Sequence, residues 1–148
     1  MRSEHAQPRH ETRTRDTPSM ALIVQRIDHL VLNVADVEAS AAWYARVLGM
    51  RPEVAGGRTI LWFGEQKLHV RPIDASQEEW FTGRHPAPGS DDLCFAADAD
   101  LEAITAHLAS CGVDVEVGPV ERPGARGTMT SVYCRDPDGS LIEISTYR

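Results

Sequence analysis

The chain has 148 residues, 42% of them hydrophobic, and a formal charge of −7. That suits one folded domain, or two small modules around a common core, and is too apolar for a disordered chain. The acidic balance without a basic stripe argues against nucleic acid and anionic membranes, no apolar run is long enough to span a bilayer, and the three cysteines, set in apolar segments, read as thiols of a reducing cytoplasm rather than a disulfide framework.

Residues 1–22 are polar and aperiodic, and a disordered extension is expected there, with the folded domain over 23–148; Met20 could itself be the start codon. Ile27, Leu30, Leu32 and Val34 mark a half-buried strand over 26–34. Asp36 stands where an N-cap belongs, and the helix it opens runs over 37–48 to Gly49. Three short strands follow at 51–55, 59–63 and 67–71, with turns at Gly56-Gly57 and Gly64-Glu65-Gln66. The Pro- and Gly-rich stretch 72–90 is a linker, expected to be pinned by Trp80 and Phe81. Beyond it come a strand at 92–97, a helix at 100–111 stopped by Gly112, a strand at 113–117 and a Gly/Pro-rich loop at 118–127. A hairpin, 129–135 and 140–146, closes the chain around Asp136-Pro137-Asp138-Gly139.

The two halves repeat one another. Residues 28–39 and 91–103 are near copies, and the match recurs at an offset of 63 in Leu48-Gly49 against Cys111-Gly112 and Glu53-Val54 against Glu116-Val117. Each half is therefore a βαβββ module, about 26–72 and about 91–147, joined by a linker over about 73–90. Two such modules give an α+β protein with a curved, mainly antiparallel sheet and helices over one face.

Side chains alternate across a strand, so each strand has a helix face and an open face. Leu30, Leu32 and Val34, Leu68 and Val70, Leu93 and Phe95, and Ile142 and Ile144 are the apolar sets. Their alternation leaves His29, His69, Asp92 and Glu143 on the open faces. His29 and Asp92 open the first strand of their modules, and His69 and Glu143 lie midway along the last. Modules paired about a pseudo-two-fold axis would bring all four together. Two imidazoles and two carboxylates suit a divalent metal, with Ni, Zn, Mn, Fe and Co all open.

At these residues the sequence resembles the vicinal oxygen chelate superfamily, which includes glyoxalase I, fosfomycin-resistance proteins, bleomycin-binding proteins and extradiol dioxygenases. The resemblance runs from Arg26 to the C-terminus. It is carried by Ile27-Asp28-His29-Leu30-Val31-Leu32, Phe63-Gly64-Glu65-Gln66-Lys67, Pro88-Gly89-Ser90-Asp91-Asp92-Leu93-Cys94-Phe95 and Arg135-Asp136-Pro137-Asp138-Gly139-Ser140-Leu141-Ile142-Glu143-Ile144. It is similar above all to the glyoxalase domain-containing protein 5 and virulence-associated glyoxalase-like branches.

The resemblance implies the glyoxalase/bleomycin resistance/dihydroxybiphenyl dioxygenase fold, a homodimer and a metal chelated by vicinal oxygens of a small substrate. His29 matches the first-strand ligand and Glu143 the last-strand ligand, while Asp92 stands where glyoxalase I and the fosfomycin enzymes place His. A gapless match puts Arg71 in the fourth-strand His slot and the internal repeat favours His69, which leaves Arg71 to bind an anionic substrate. Tyr133 matches a position that lines the pocket, and Asn33 shares the open face as a further substrate-binding candidate. Glu143 or Asp92 would move a proton beside the metal, which is lyase or isomerase chemistry of the glyoxalase type. Two alternatives stand beside it: a ring-cleaving extradiol dioxygenase if the metal is iron, and a metal-free protein that sequesters a small toxic ligand.

Overall fold

The structure, a computed structural model, describes residues 21–148. The disorder expected at the N-terminus therefore falls almost wholly outside the described residues. Module one comprises β1 (His29–Val34), α1 (Val37–Leu48), β2 (Arg51–Ala55), β3 (Arg58–Phe63) and β4 (Gln66–Pro72). Module two comprises β5 (Asp92–Ala96), α2 (Leu101–Ser110), β6 (Val117–Gly124), β7 (Gly127–Arg135) and β8 (Leu141–Thr146). The two mixed sheets have the same topology, β1-β4-β3-β2 and β5-β8-β7-β6, with one parallel pair each.

The helices begin where a short carboxylate meets an orphan amide. Asp36 accepts from the Ala39 N–H at 2.9 Å and Asp100 from the Ala103 N–H at 2.8 Å. Gly49, at φ 67°, ends α1 in the left-handed region that a side chain would strain.

One element departs from expectation. The stretch 118–127, read as a loop, lies mostly within β6, and the strand expected at 113–117 is absent but for Val117. Pro119 and Pro123 are tolerated because β6 is an outer strand, and its register on β7 shifts between Val117 and Val120.

Each sheet turns its apolar face to the helices, and the modules pack helix side to helix side. Leu32, Val34, Leu61, Leu68 and Val70 of the first sheet share one core with Tyr44, Val47, Ile104 and Leu108 of the helices and Val132, Ile142 and Ile144 of the second sheet. Polar contacts fasten this junction. Arg46 donates to the Cys111 carbonyl at 2.7 Å, and the His107 ring donates Nε2–H to the Val47 carbonyl at 2.9 Å. The fully buried Tyr44 hydroxyl donates to Asp136 Oδ2 at 2.8 Å, and Asp136 Oδ1 accepts from the Ser140 amide. Burial, then the Asp136 charge, holds the Tyr44 phenol far above its ordinary range. Tyr44→Phe should lower stability by about 1–3 kcal/mol by leaving a buried carboxylate oxygen unpaired. Urea unfolding would read this as a lower midpoint with an unchanged slope.

The linker is held by Arg71, which is 1% exposed. Its guanidinium donates to the carbonyls of Trp80 (3.0 Å), Pro72 (3.4 Å), Ser76 (3.3 Å) and Ala75 and to Asn33 Oδ1 (3.0 Å). Trp80 is buried as expected, but Phe81 is 86% exposed and pins nothing among the described residues. Gly89, at φ +79°, passes so close to the β7–β8 turn that a Cβ would sit 2.3 Å from the Asp138 carbonyl oxygen.

Because the helix faces meet, the opposite faces of both sheets point away from the shared core. Those outward faces carry the ionisable residues.

Candidate functional site

On the first sheet, β1 and β4 run parallel with Val31 opposite His69, which brings His29 and His69 to the same outward face. Their ring centres are 5.1 Å apart. His29 Nδ1 pairs with Asp28 Oδ1 at 2.8 Å, which fixes the ring and leaves Nε2 pointing elsewhere. That bond, with the charge of His29, holds the Asp28 carboxyl below its usual range. Burial, then the charges of Lys67, His29 and Arg58, lowers the His69 pKa, so the ring is neutral at pH 7, the form that binds metals. Trp80 meets the His69 ring edge-on, with centres 6.1 Å apart.

On the second sheet, β5 and β8 repeat this geometry, with Cys94 opposite Glu143. Val31 and Cys94 are 63 residues apart, so the registers make His69 and Glu143 equivalent, as the internal repeat requires. Tyr133, next across on β7, donates its hydroxyl to Glu143 Oε1 at 2.6 Å and accepts from Arg122 Nε at 3.0 Å. Burial alone would raise the Glu143 pKa, but hydrogen bonds from Tyr133, Cys94 and Ser131 outweigh it and hold the carboxylate below its ordinary value. The Cys94 thiol is pushed up to about 11 by desolvation first, and then by its hydrogen bond to Glu143 and the charges of Glu143 and Asp92. It therefore stays protonated and is no nucleophile at neutral pH. Asp92 is exposed at the start of β5.

The four candidate ligands thus stand as two pairs on two outward faces. Among the described residues, no group of three His, Cys, Asp or Glu side chains comes close enough to hold a metal ion. One chain by itself offers two imidazoles on one face and two carboxylates on the other, so the donors of a single face do not suffice for a tightly held divalent ion.

Arg71 and Asn33 lie elsewhere than in an open pocket. All five guanidinium N–H groups of Arg71 are used on four carbonyls and on Asn33, and burial closes it to a substrate anion. Sequence reasoning passed over Asp28, Cys94, Ser131 and Arg122. The repeat itself carried the signal for Cys94, the cross-strand neighbour of Glu143; Arg122 was hidden because its strand reads as a loop.

Paired βαβββ modules, each with a parallel first and last strand, define the class of fold. The chain belongs to the Glyoxalase/Bleomycin resistance protein/Dioxygenase superfamily, whose profile matches residues 26–144. It is 40% identical to Virulence protein STM3117 of Salmonella typhimurium, over 87% of this chain and 89% of that protein. It is also 40% identical to the Glyoxalase domain-containing protein RDO1 of Mycosarcoma maydis, over 86% of this chain and 71% of that protein. Its fold matches an integron cassette protein of V. cholerae with a TM-score of 0.82 and 41% identity, covering 86% and 99% of the two chains. More distant relatives include a lactoylglutathione lyase of Pseudomonas aeruginosa, 25% identical over 79% of this chain and 80% of that one. No helix among the described residues is long and apolar enough to cross a membrane.

Proposed function

We propose that this chain is a glyoxalase-like enzyme of the lyase or isomerase type whose site is completed by a second copy. His29 and His69 of one copy would face Asp92 and Glu143 of the partner subunit. The observation that carries the reading is the equivalence of the two half-sites, each at the same register on an outward face and each short of a third donor. The strand order supports it, because β1 and β5 are both outer strands with one unpaired edge. Ile27, just before β1, and Leu30 within it, 60% and 40% exposed, would be covered by such pairing.

A divalent metal held by these four residues would polarise adjacent oxygens of a small substrate. The chain's own contribution is the proton transfer. Tyr133 donates to Oε1 of Glu143 and fixes the carboxylate that would serve as the general base. A base held below the ordinary glutamate value of 4.5 remains ionised into mildly acidic solution. Tyr133→Phe removes a donor to the charged form, so the Glu143 pKa rises and the acidic limb of the pH–rate profile should move to higher pH. An unmoved limb in that variant would take the proton transfer away from Glu143.

A metal-free binding protein is the second reading, favoured by the absence of a three-donor group among the described residues of one chain. Turnover of methylglyoxal or catechol, assayed with each candidate metal in turn, separates it from the enzyme.

A further inference from the structure

We infer that the ligand is a small organic anion, recognised by Arg58, Lys67 and Arg122 beside the vicinal oxygens. For bringing all three to one molecule, the inference rests on the two-copy site proposed above. In a chain of net charge −7, the outward face of the first sheet has the opposite character. Its outward strand positions carry Arg51, Arg58, Lys67 and the buried Arg71, with Glu53 as the one carboxylate. Glu53 is engaged by Arg51 and by the Trp62 indole N–H, at 3.4 and 3.1 Å.

Arg58 and Lys67 rest on aromatic rings instead of acids. Arg58 lies over Trp80 with its guanidinium carbon 4.2 Å from the ring centre, and the Lys67 ammonium is 5.2 Å from that of Trp62. On the second sheet Arg122 lies 5.5 Å from the centre of Tyr133. None of the three makes an ion pair among the described residues. A ring face orients a cation without neutralising it, so the full charge is preserved and the side chain is already ordered.

Each cation also stands next to a candidate ligand. Lys67 is opposite His29 across the β1–β4 pair. Arg58 shares Trp80 with His69. Arg122 binds the Tyr133 hydroxyl that holds Glu143, and its Nη1 is fixed by the Glu121 carbonyl at 3.1 Å. Both outward faces, by separate observations, therefore bring ordered and unpaired positive charge to the candidate centre. The matching ligand has a carboxylate or phosphoryl group next to a carbonyl or hydroxyl, as in a 2-oxo or 2-hydroxy acid.

Amide NMR titration of the full-length protein, with no metal added, tests this using pyruvate, its neutral methyl ester and inorganic phosphate. Pyruvate should bind at least about tenfold more tightly than methyl pyruvate. Arg58→Met, Lys67→Met and Arg122→Met should each weaken pyruvate about tenfold and leave methyl pyruvate unchanged. Pyruvate affinity should also fall as sodium chloride is raised. Phosphate that displaces pyruvate with the same three dependences supports the anion site and assigns it a phosphoryl group. Equal affinity for acid and ester, no binding of pyruvate or phosphate, or pyruvate affinity within about twofold of wild type in all three variants overturns the inference. His69→Ala and Glu143→Ala separate the two ideas. If they abolish binding of both acid and ester while the cation variants change nothing, the two-copy site stands and the anion inference falls. If only the cation variants weaken pyruvate, the anion inference stands and His69 and Glu143 take no part in holding the anion.

Discussion

Replacing His69 or Glu143 with alanine is expected to weaken divalent-metal binding by roughly a thousandfold, on the order of 4 kcal/mol. The expectation comes from the register. His69 and Glu143 are the only pair of candidate ligands placed midway along equivalent strands, opposite Val31 and Cys94. A site of two imidazoles and two carboxylates that loses one ligand also loses the geometry that holds the others in place. The effect should be the same from either face, although the two residues are on different sheets of the chain. Metal analysis after titration with Ni, Zn, Mn, Fe and Co salts measures it. Wild-type protein that takes up no metal would leave the binding-protein reading in possession of the site.

Arg71→Met should be the most damaging change away from the outward faces. Arg71 is a fully buried cation whose five donors tie the linker to β1 and β4. Methionine keeps much of the stem and removes every donor, so the linker carbonyls lose their partners together. A loss of about 3–5 kcal/mol follows, with a fall in melting temperature of about 10 °C or more. Trp80 depends on the same clamp and rests against His69, so the imidazole pair should loosen as the linker does. Thermal unfolding measured by circular dichroism gives the answer. A variant within about 1 kcal/mol of wild type would mean that the guanidinium is dispensable to the fold and available for a ligand.

The sequence was most legible where its signals are local. α1 spans Val37–Leu48 as its caps require, and β2 spans Arg51–Ala55 as expected. The repeat identified the module, and the sheet registers put His29 and Asp92, and likewise His69 and Glu143, at equivalent strand positions. Failures came where the outcome depends on distant partners. β6 contains two prolines and two glycines, and only its place at the edge of a sheet makes it a strand. Arg71 alternates in phase with His69 and so reads as an open-face cation, but the linker folds over it and takes up its donors. Phe81 reads as an anchor by hydrophobicity alone, while its neighbour Trp80 occupies the available contact. The direction in which the open faces point is not written in any strand. It follows from the packing of α1 and α2 into one core, and it separates the imidazoles from the carboxylates within the chain.

Complementation between two defective variants tests the two-copy site most directly. His69→Ala and Glu143→Ala proteins, each devoid of bound metal, would be mixed in equal amounts and allowed to exchange subunits. In a mixed dimer one site combines both defects, and the other receives an intact imidazole pair from one copy and an intact carboxylate pair from its partner. Random pairing should then restore about a quarter of the wild-type metal content. If subunits exchange and no metal returns, the four residues do not meet across two copies, and the proposed site is wrong.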